Sequence, residues 1–246
     1  MRVSSVGLLC ICCCLLFYGC MPPPQVTPRP KALIATFEYT PPEQAKVKEH
    51  DVAFILIRPD FAPLFAHRSS KLFVNFRDNM GKDFEELLIA RGYTLRGPVD
   101  RWDDITYQDK KETDMTMEVE IQIDVSPDRD ATKRYYSSAY EQWLYYLEGQ
   151  ISVTGYVNLI LKEGFSKEKL YIKKISIQPI QVEAKSYLKY YDSRIPVTDV
   201  GIHNALVPVM EKAYAKLLQK VWEHLHPKEI KPLKVEVKKL RDMRGY

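Results

Sequence analysis

The residue with the most distinctive chemistry is Cys20. All five cysteines lie between positions 10 and 20, and none occurs in the 226 residues that follow. The body of the chain therefore offers no disulfide framework, no thiolate metal site and no thiol nucleophile. Cys20 closes a run that starts with the charged pair Met1-Arg2 and continues as the apolar stretch Val6–Tyr18. A membrane span needs about 20 apolar residues, so this shorter stretch has the form of an export signal. Leu16-Phe17-Tyr18-Gly19-Cys20 then reads as a lipobox. Small Gly19 suits the cut, and the Cys20 sulfur can take diacylglycerol as a thioether. Phe17 stands where an aliphatic residue is usual, and an ordinary cleaved signal or an uncleaved anchor are the alternatives. Lipidation would anchor the chain to a membrane, since each buried CH₂ contributes about 0.8 kcal/mol and two or three chains hold firmly.

A second group mixes cations with aromatics. Lys133, Arg134, Tyr135 and Tyr136 are followed closely by Tyr140, Trp143, Tyr145 and Tyr146. An Arg guanidinium can hold a carboxylate through two parallel hydrogen bonds, and exposed rings stack on sugars or anchor a protein partner. The candidate ligand-binding residues are Lys133, Arg134, Tyr135, Tyr136 and Trp143. The alternative is that the aromatics fold back as a short helix or hairpin over a sheet edge.

Other groups carry less. His224 and His226 lack an evident third ligand, whereas structural zinc takes four. Glu118, Glu120 and Asp124 fall on one face of an alternating segment, where carboxylates solvate a sheet. No nucleophile elbow, phosphate loop or His-Glu-x-x-His motif occurs. The expectation is a protein that is not an enzyme and uses no cofactor. A net charge of +4 is far from the basic stripe of a nucleic-acid binder.

The segments that must position these groups follow from periodicity. Leu33–Tyr39 reads as a strand. Val52–Ile57 is a continuous apolar run between Asp51 and Pro59, as expected of a strand buried on both faces. Leu72, Phe76, Met80, Phe84, Leu87 and Leu88 predict a helix over 69–91, stopped by Gly92, before a short strand from Tyr93. Met115–Val125 alternates as a half-buried strand, and 151–161 and 170–182 follow as antiparallel partners. The apolar phase changes between Ile172 and Ile175, predicting a bulge near Lys173-Lys174. Leu206, Met210, Ala213, Leu217, Val221 and Leu225 predict a long helix from about Thr198, bent or begun at Pro208.

This order implies an α+β fold: a mixed, mainly antiparallel sheet with two long helices on one face. The architecture resembles the amino-terminal domain of TolB and the curli-secretion lipoproteins, a likeness that carries no function. The expected organisation is a signal peptide at 1–19, lipidated Cys20 with a Pro-rich tether to residue 32, one domain over 33–226, and a basic tail over 227–246. Five prolines between Met21 and Lys31 favour an extended spacer, reaching about 30 Å at about 3.1 Å per residue. Met21, after the cysteine, is not an aspartate, which favours the outer membrane. The tail would be solvated, or bind anionic headgroups.

Longer segments carry a resemblance. Phe37-Glu-Tyr-Thr-Pro-Pro-Glu43, Asp51-Val-Ala-Phe-Ile-Leu-Ile-Arg-Pro-Asp-Phe61, Phe84-Glu-Glu-Leu-Leu-Ile-Ala-Arg-Gly-Tyr93, Gln108-Asp-Lys-Lys-Glu112 and Asp128-Arg-Asp-Ala-Thr-Lys-Arg134 are similar to the neuraminyllactose-binding haemagglutinin lipoproteins. The resemblance implies an outer-membrane or flagellar-sheath lipoprotein acting as an adhesin for sialylated glycans. It also implies a sialic-acid motif at a Lys-Arg pair, of which Lys133-Arg134 alone stand here. The other reading is a periplasm-facing structural or assembly lipoprotein that binds another envelope protein.

Overall fold

The structure, a computed structural model, describes residues 30–43, 50–187 and 195–245. The signal segment, Cys20 and the tether up to Arg29 lie outside the described residues. Strand β1 (Ala53–Ile57) is the apolar run seen in the sequence, and both of its faces are covered. Phe54 and Leu56 enter the main core, while Ile55 and Ile57 meet Trp102 and Ile105 on the other side. A two-residue strand β2 (Asp60–Phe61) follows, and then helix α1 (Lys71–Ala90). The expected stripe of α1 is buried: Leu72, Phe76, Met80, Phe84, Leu87 and Leu88 are each at most 1% exposed. Burying such side chains contributes roughly 1.5–3 kcal/mol each.

Gly92 stops α1 as the spacing predicts. It sits at φ 79°, its N–H bonds the Ile89 carbonyl, and the Tyr93 N–H reaches back to Leu88. These two bonds form a Schellman motif, which a side chain at this left-handed position would strain. The chain then enters β3 (Thr94–Val99), passes the short helix α2 (Tyr107–Glu112), and forms β4 (Met115–Pro127), β5 (Thr132–Ser137), β6 (Gln142–Glu163) and β7 (Lys169–Lys185). The sheet order is β3-β1-β4-β6-β5, with β2 joined to β4 and β7 to β6. Pairs around β1 and β2 are parallel, and those among β4 to β7 are antiparallel. The α+β class and its mainly antiparallel sheet are thus as expected.

Helices α3 (Val200–His224) and α4 (Pro227–Arg244) complete the fold. Alternate residues of β4 and β6, among them Met117, Ile121, Val157 and Leu161, share the main core with α1, α3 and α4. Between α1 and α3 the Phe37, Phe76 and Tyr214 rings lie 5.2–5.3 Å apart. The Tyr214 hydroxyl donates to Asp83 at 2.6 Å, and the Tyr39 N–H bonds the same carboxylate. Arg91 stacks on Trp222 at 3.4 Å and donates to its carbonyl, and the Tyr93 hydroxyl donates to the Leu225 carbonyl. These bonds fix the ends of α1 and α3 to one another.

Four expectations need correction. Residues 33–39 are extended but join no strand; they lie along α3. The Leu33 and Thr36 N–H groups donate to the Asn204 and Glu211 side chains, and the Asn204 amide donates to the Lys31 carbonyl. Phe37 is the apolar residue that fixes this segment, at 2% exposure. The helix α3 starts near Thr198 as expected, but of the two readings of Pro208 the true start does not hold: Asp199 caps the helix, accepting from the Gly201 and Tyr187 N–H groups at about 3 Å, and the helix runs on through the proline.

The strand β7 carries no bulge at Lys173-Lys174. Ile172 simply faces solvent, and the register shifts lie where Thr154 faces Gln178-Pro179 and beside Leu170. Finally, residues 227–244 are not a solvated tail. They form α4, a third long helix, which buries Ile230, Leu233 and Val237. It belongs to the compact unit Lys31–Tyr246 that holds the whole core.

Arg241 secures the far end of α4. Its Nε donates to Glu163 at 2.9 Å and its Nη2 to the Thr113 carbonyl at 2.6 Å. The other Glu163 oxygen accepts from the Phe165 and Ser166 N–H groups. Burial pushes the Glu163 carboxyl up, but the Ser166 N–H, the Arg241 guanidinium and the Phe165 N–H outweigh it and hold it below the usual value. Removing one partner leaves a buried charge unpaired. Arg241→Ala is expected to lower stability by about 3–5 kcal/mol in urea titration, and Lys239→Ala by less than about 0.5 kcal/mol.

Asp83 behaves oppositely. Burial pushes its carboxyl up to about 6, against the Tyr214 hydrogen bond. A raised folded pKa stabilises fully below the unfolded value, near 3.9, and that contribution is lost as pH rises through about 6. Asp83→Asn, which keeps an acceptor for Tyr214, is therefore expected to exceed the parent by about 3 kcal/mol at pH 8. The difference should vanish near pH 4, as read from urea midpoints across pH.

Candidate functional site

The cation–aromatic segment forms a hairpin built on the first third of β6. Strand β6 pairs with β4 only from Ile151 onward; before that, its residues Gln142–Leu147 pair with β5. Thr, Tyr and Trp, with their branched or aromatic side chains, fit such a pleated ribbon. The turn occupies 138–141, with Glu141 at φ 50° and the Tyr140 N–H on the Ser137 carbonyl. The hairpin reading of these aromatics therefore holds over the helical one.

The base of the hairpin is tied firmly. Leu147 is fully buried and Leu144 is 4% exposed. The Leu147 N–H donates to the Ser186 hydroxyl, and the Ser186 N–H returns to the Leu147 carbonyl, both at 2.8 Å. The Glu148 N–H bonds the Ala131 carbonyl, and Glu148 pairs with Lys185 at 2.7 Å. Beyond this base, Trp143 lies about 14 Å out along the strand, at about 3.4 Å per residue.

Register decides which side chains meet. Arg134 faces Tyr145, and Tyr136 faces Trp143, so these four share one face. The Arg134 guanidinium lies 5.1 Å from the Trp143 ring centre, and the Tyr136 ring meets Trp143 edge-on at 5.7 Å. Tyr136 is 54% exposed, Trp143 50% and Tyr140, at the turn, 64%. Lys133 faces Tyr146 and Tyr135 faces Leu144, placing both on the opposite face, where Tyr135 and Tyr146 pack at 6.2 Å. Of the five residues singled out from sequence, the structure gathers Arg134, Tyr136 and Trp143 and separates Lys133 and Tyr135. Cys20 lies outside the described residues.

The gathered face has a definite chemistry. Arg134 has no carboxylate partner among the described residues, so its N–H donors remain available above a ring that holds its charge in place. A ligand carrying both a carboxylate and a flat apolar face would meet Arg134 and the exposed rings together. The root residues Leu144, Leu147 and Ser186 were not singled out from the sequence. Leu144 and Leu147 stand three apart, so no alternation marks them as a pair in the sequence, and Ser186 is 39 residues away from Leu147.

The remaining sequence candidates have structural roles. The His226 Nδ1 accepts from the Lys228 N–H and caps α4, while the His224 Nδ1 lies 3.6 Å from Glu229. Glu118 pairs with Lys162 at 2.5 Å, Glu120 accepts from Asn158, and the Tyr156 hydroxyl donates to Gln122. Lys174 covers the Tyr156 ring at 3.7 Å, so this face of the sheet is a cross-strand polar ladder. Gly155 lies within the ladder at φ 153°, where an added Cβ would stand 2.2 Å from the Gln122 carbonyl oxygen.

No protein-family profile and no curated protein matches this chain in sequence. Among solved structures, it superposes with a TM-score of 0.60 on one from Helicobacter pylori described as a neuraminyllactose-binding hemagglutinin homologue. The two are 15% identical, over 84% of this chain and 100% of the other. Protein XCC0632 from Xanthomonas campestris gives a TM-score of 0.33 at 12% identity, covering 78% of this chain and 92% of its own. Lipoprotein GNA1162 from Neisseria meningitidis gives 0.29 at 10%, covering 69% and 97%. At these identities only the first carries an argument, and what it shows is a shared fold.

The exposed pair adds little to stability, whereas the root adds much. Trp143→Ala is expected to cost about 1 kcal/mol or less, and Leu147→Ala about 2–5 kcal/mol, in thermal or urea unfolding. Equal losses for both would show that the distal face is packed rather than available.

Proposed function

We propose that this chain is a lipid-anchored envelope protein that binds a carboxylate-bearing glycan, of the sialylated kind, through the Arg134–Tyr136–Trp143 face. The observation that carries the reading is the pairing of half-exposed rings with a guanidinium that has no carboxylate partner among the described residues, on an arm rooted in the sheet. Sialic acid presents a carboxylate beside a ring with apolar patches, which is the combination this face would meet. The fold shared with the hemagglutinin homologue supports the same reading, as does the sequence form of residues 1–20.

The anchor is the Cys20 thioether, and the compartment is the outer membrane, at the cell surface or on a flagellar sheath. The role is adhesion, without catalysis or a cofactor. Arg, Tyr and Trp are also the residues that dominate protein–protein hot spots. A periplasm-facing protein that grips another envelope protein is therefore the second reading of the same face.

Saturation-transfer NMR on residues 31–246, the compact unit, decides between them. Transfer to the sialic-acid ring of sialyllactose is expected, with none to lactose and a loss in Arg134→Ala and Trp143→Ala. Absence of transfer to both sugars would reject glycan binding and leave the protein-partner reading.

A further inference from the structure

A second surface, on another part of the fold, has its own chemistry. Among the described residues, strand β7 pairs only with β6, which leaves its outer edge without a strand partner there. Beside this edge runs α3. Ser176–Gln181 of β7 and the Pro208–Glu223 stretch of α3 enclose a groove of about 800 Å³. Ile177, Ala213 and Leu217 make an apolar floor, at 6%, 5% and 2% exposure. Lys212, Lys216 and Lys220 line its helical wall.

These lysines are spaced by four, so they lie in a row on one helix face, about 6 Å apart along the axis. Lys212 and Lys216 have neither an ion pair nor a hydrogen bond among the described residues, and Lys220 only reaches the Ser176 carbonyl at 3.5 Å. Elsewhere in the fold Lys162, Lys185 and Lys234 each meet a carboxylate. Among the described residues, the sole acidic one lining the groove is Glu223, at one end. Like charges four apart on a helix repel and destabilise it, a cost that an anionic occupant relieves.

The geometry points to this groove as the docking site for an extended acidic segment of a partner protein. Same-face side chains of an extended chain repeat every 6.8 Å or so, close to the lysine spacing. A segment with carboxylates at alternate residues can therefore meet Lys212, Lys216 and Lys220 in succession while its apolar side chains rest on the groove floor, without extending the sheet past Pro179. A second copy of this chain fits poorly. The chain carries a net charge of +4, and the edge is interrupted by the bulge at Gln178-Pro179, where proline lacks an N–H. A flat bilayer would touch the lysine tips but leave the groove floor empty.

The test is fluorescence anisotropy of a labelled peptide of about ten residues alternating Glu and Thr, titrated with the full-length chain. Saturable binding is expected, weakening as salt rises from about 50 to about 300 mM. Lys212→Glu with Lys216→Glu should lose about tenfold or more in affinity with an unchanged melting temperature. The matching Lys-Thr peptide should not bind. Absence of binding, or equal binding by the double variant, overturns the proposal. So does sedimentation showing a dimer that the double variant abolishes, or tighter lysine-dependent capture by phosphatidylglycerol vesicles than by the peptide. Arg134→Ala should leave peptide binding unchanged, separating this site from the hairpin.

Discussion

Strand β6 is the constraint from which the rest of the structure follows. Its 22 residues expose a backbone donor and acceptor at every position. Those groups cannot be buried without partners. Three strands supply them: β4 along Ile151–Glu163, β5 along Gln142–Leu147, and β7 from Glu148 to Lys162. With side chains alternating along one strand, a single register choice sends Val153, Val157, Leu159 and Leu161 toward the helices. The same choice places Tyr156, Asn158 and Lys162 on the polar ladder. Its far end turns at Glu163, whose carboxylate is held by Arg241, so the register of the sheet and the seating of α4 are coupled.

That coupling explains how a two-stranded ribbon can serve as a site. Isolated hairpins are marginally stable in water. Here one strand continues into the centre of the sheet, and Leu147 and Ser186 tie the base to β7. The exposed rings therefore sit on a backbone that is already ordered, which lowers the entropic cost of binding. The second surface is ordered in advance by the same means. The helix α3 is fixed by Asp199 at one end and by the Arg91–Trp222 and Tyr93–Leu225 contacts at the other, so its lysine row is held in place.

Much of this was legible in the chain. The stripe of α1, its stop at Gly92, the doubly buried β1 and the alternation of β4 all follow from local pattern. Segment 33–39 misleads because its composition suits a strand, while its backbone partners are side chains some 170 residues away. In α4, Ile230, Leu233 and Val237 have helical spacing, but the surrounding lysines obscure so narrow a stripe. The site residues were visible by type. Which of them share a face was not, because register turns on the pairing of Tyr136 with Trp143 and of Arg134 with Tyr145.

In the proposed function Arg134 and Trp143 act together on one carboxylate-bearing ligand. The most direct measurement is a two-dimensional ¹⁵N NMR titration with sialyllactose, following the Arg134 Nε–H and Trp143 indole N–H resonances. Both are predicted to move along one saturating curve while the Leu147 amide at the root stays still. Stationary Arg134 and Trp143 signals, or shifts confined to other parts of the fold, would contradict it.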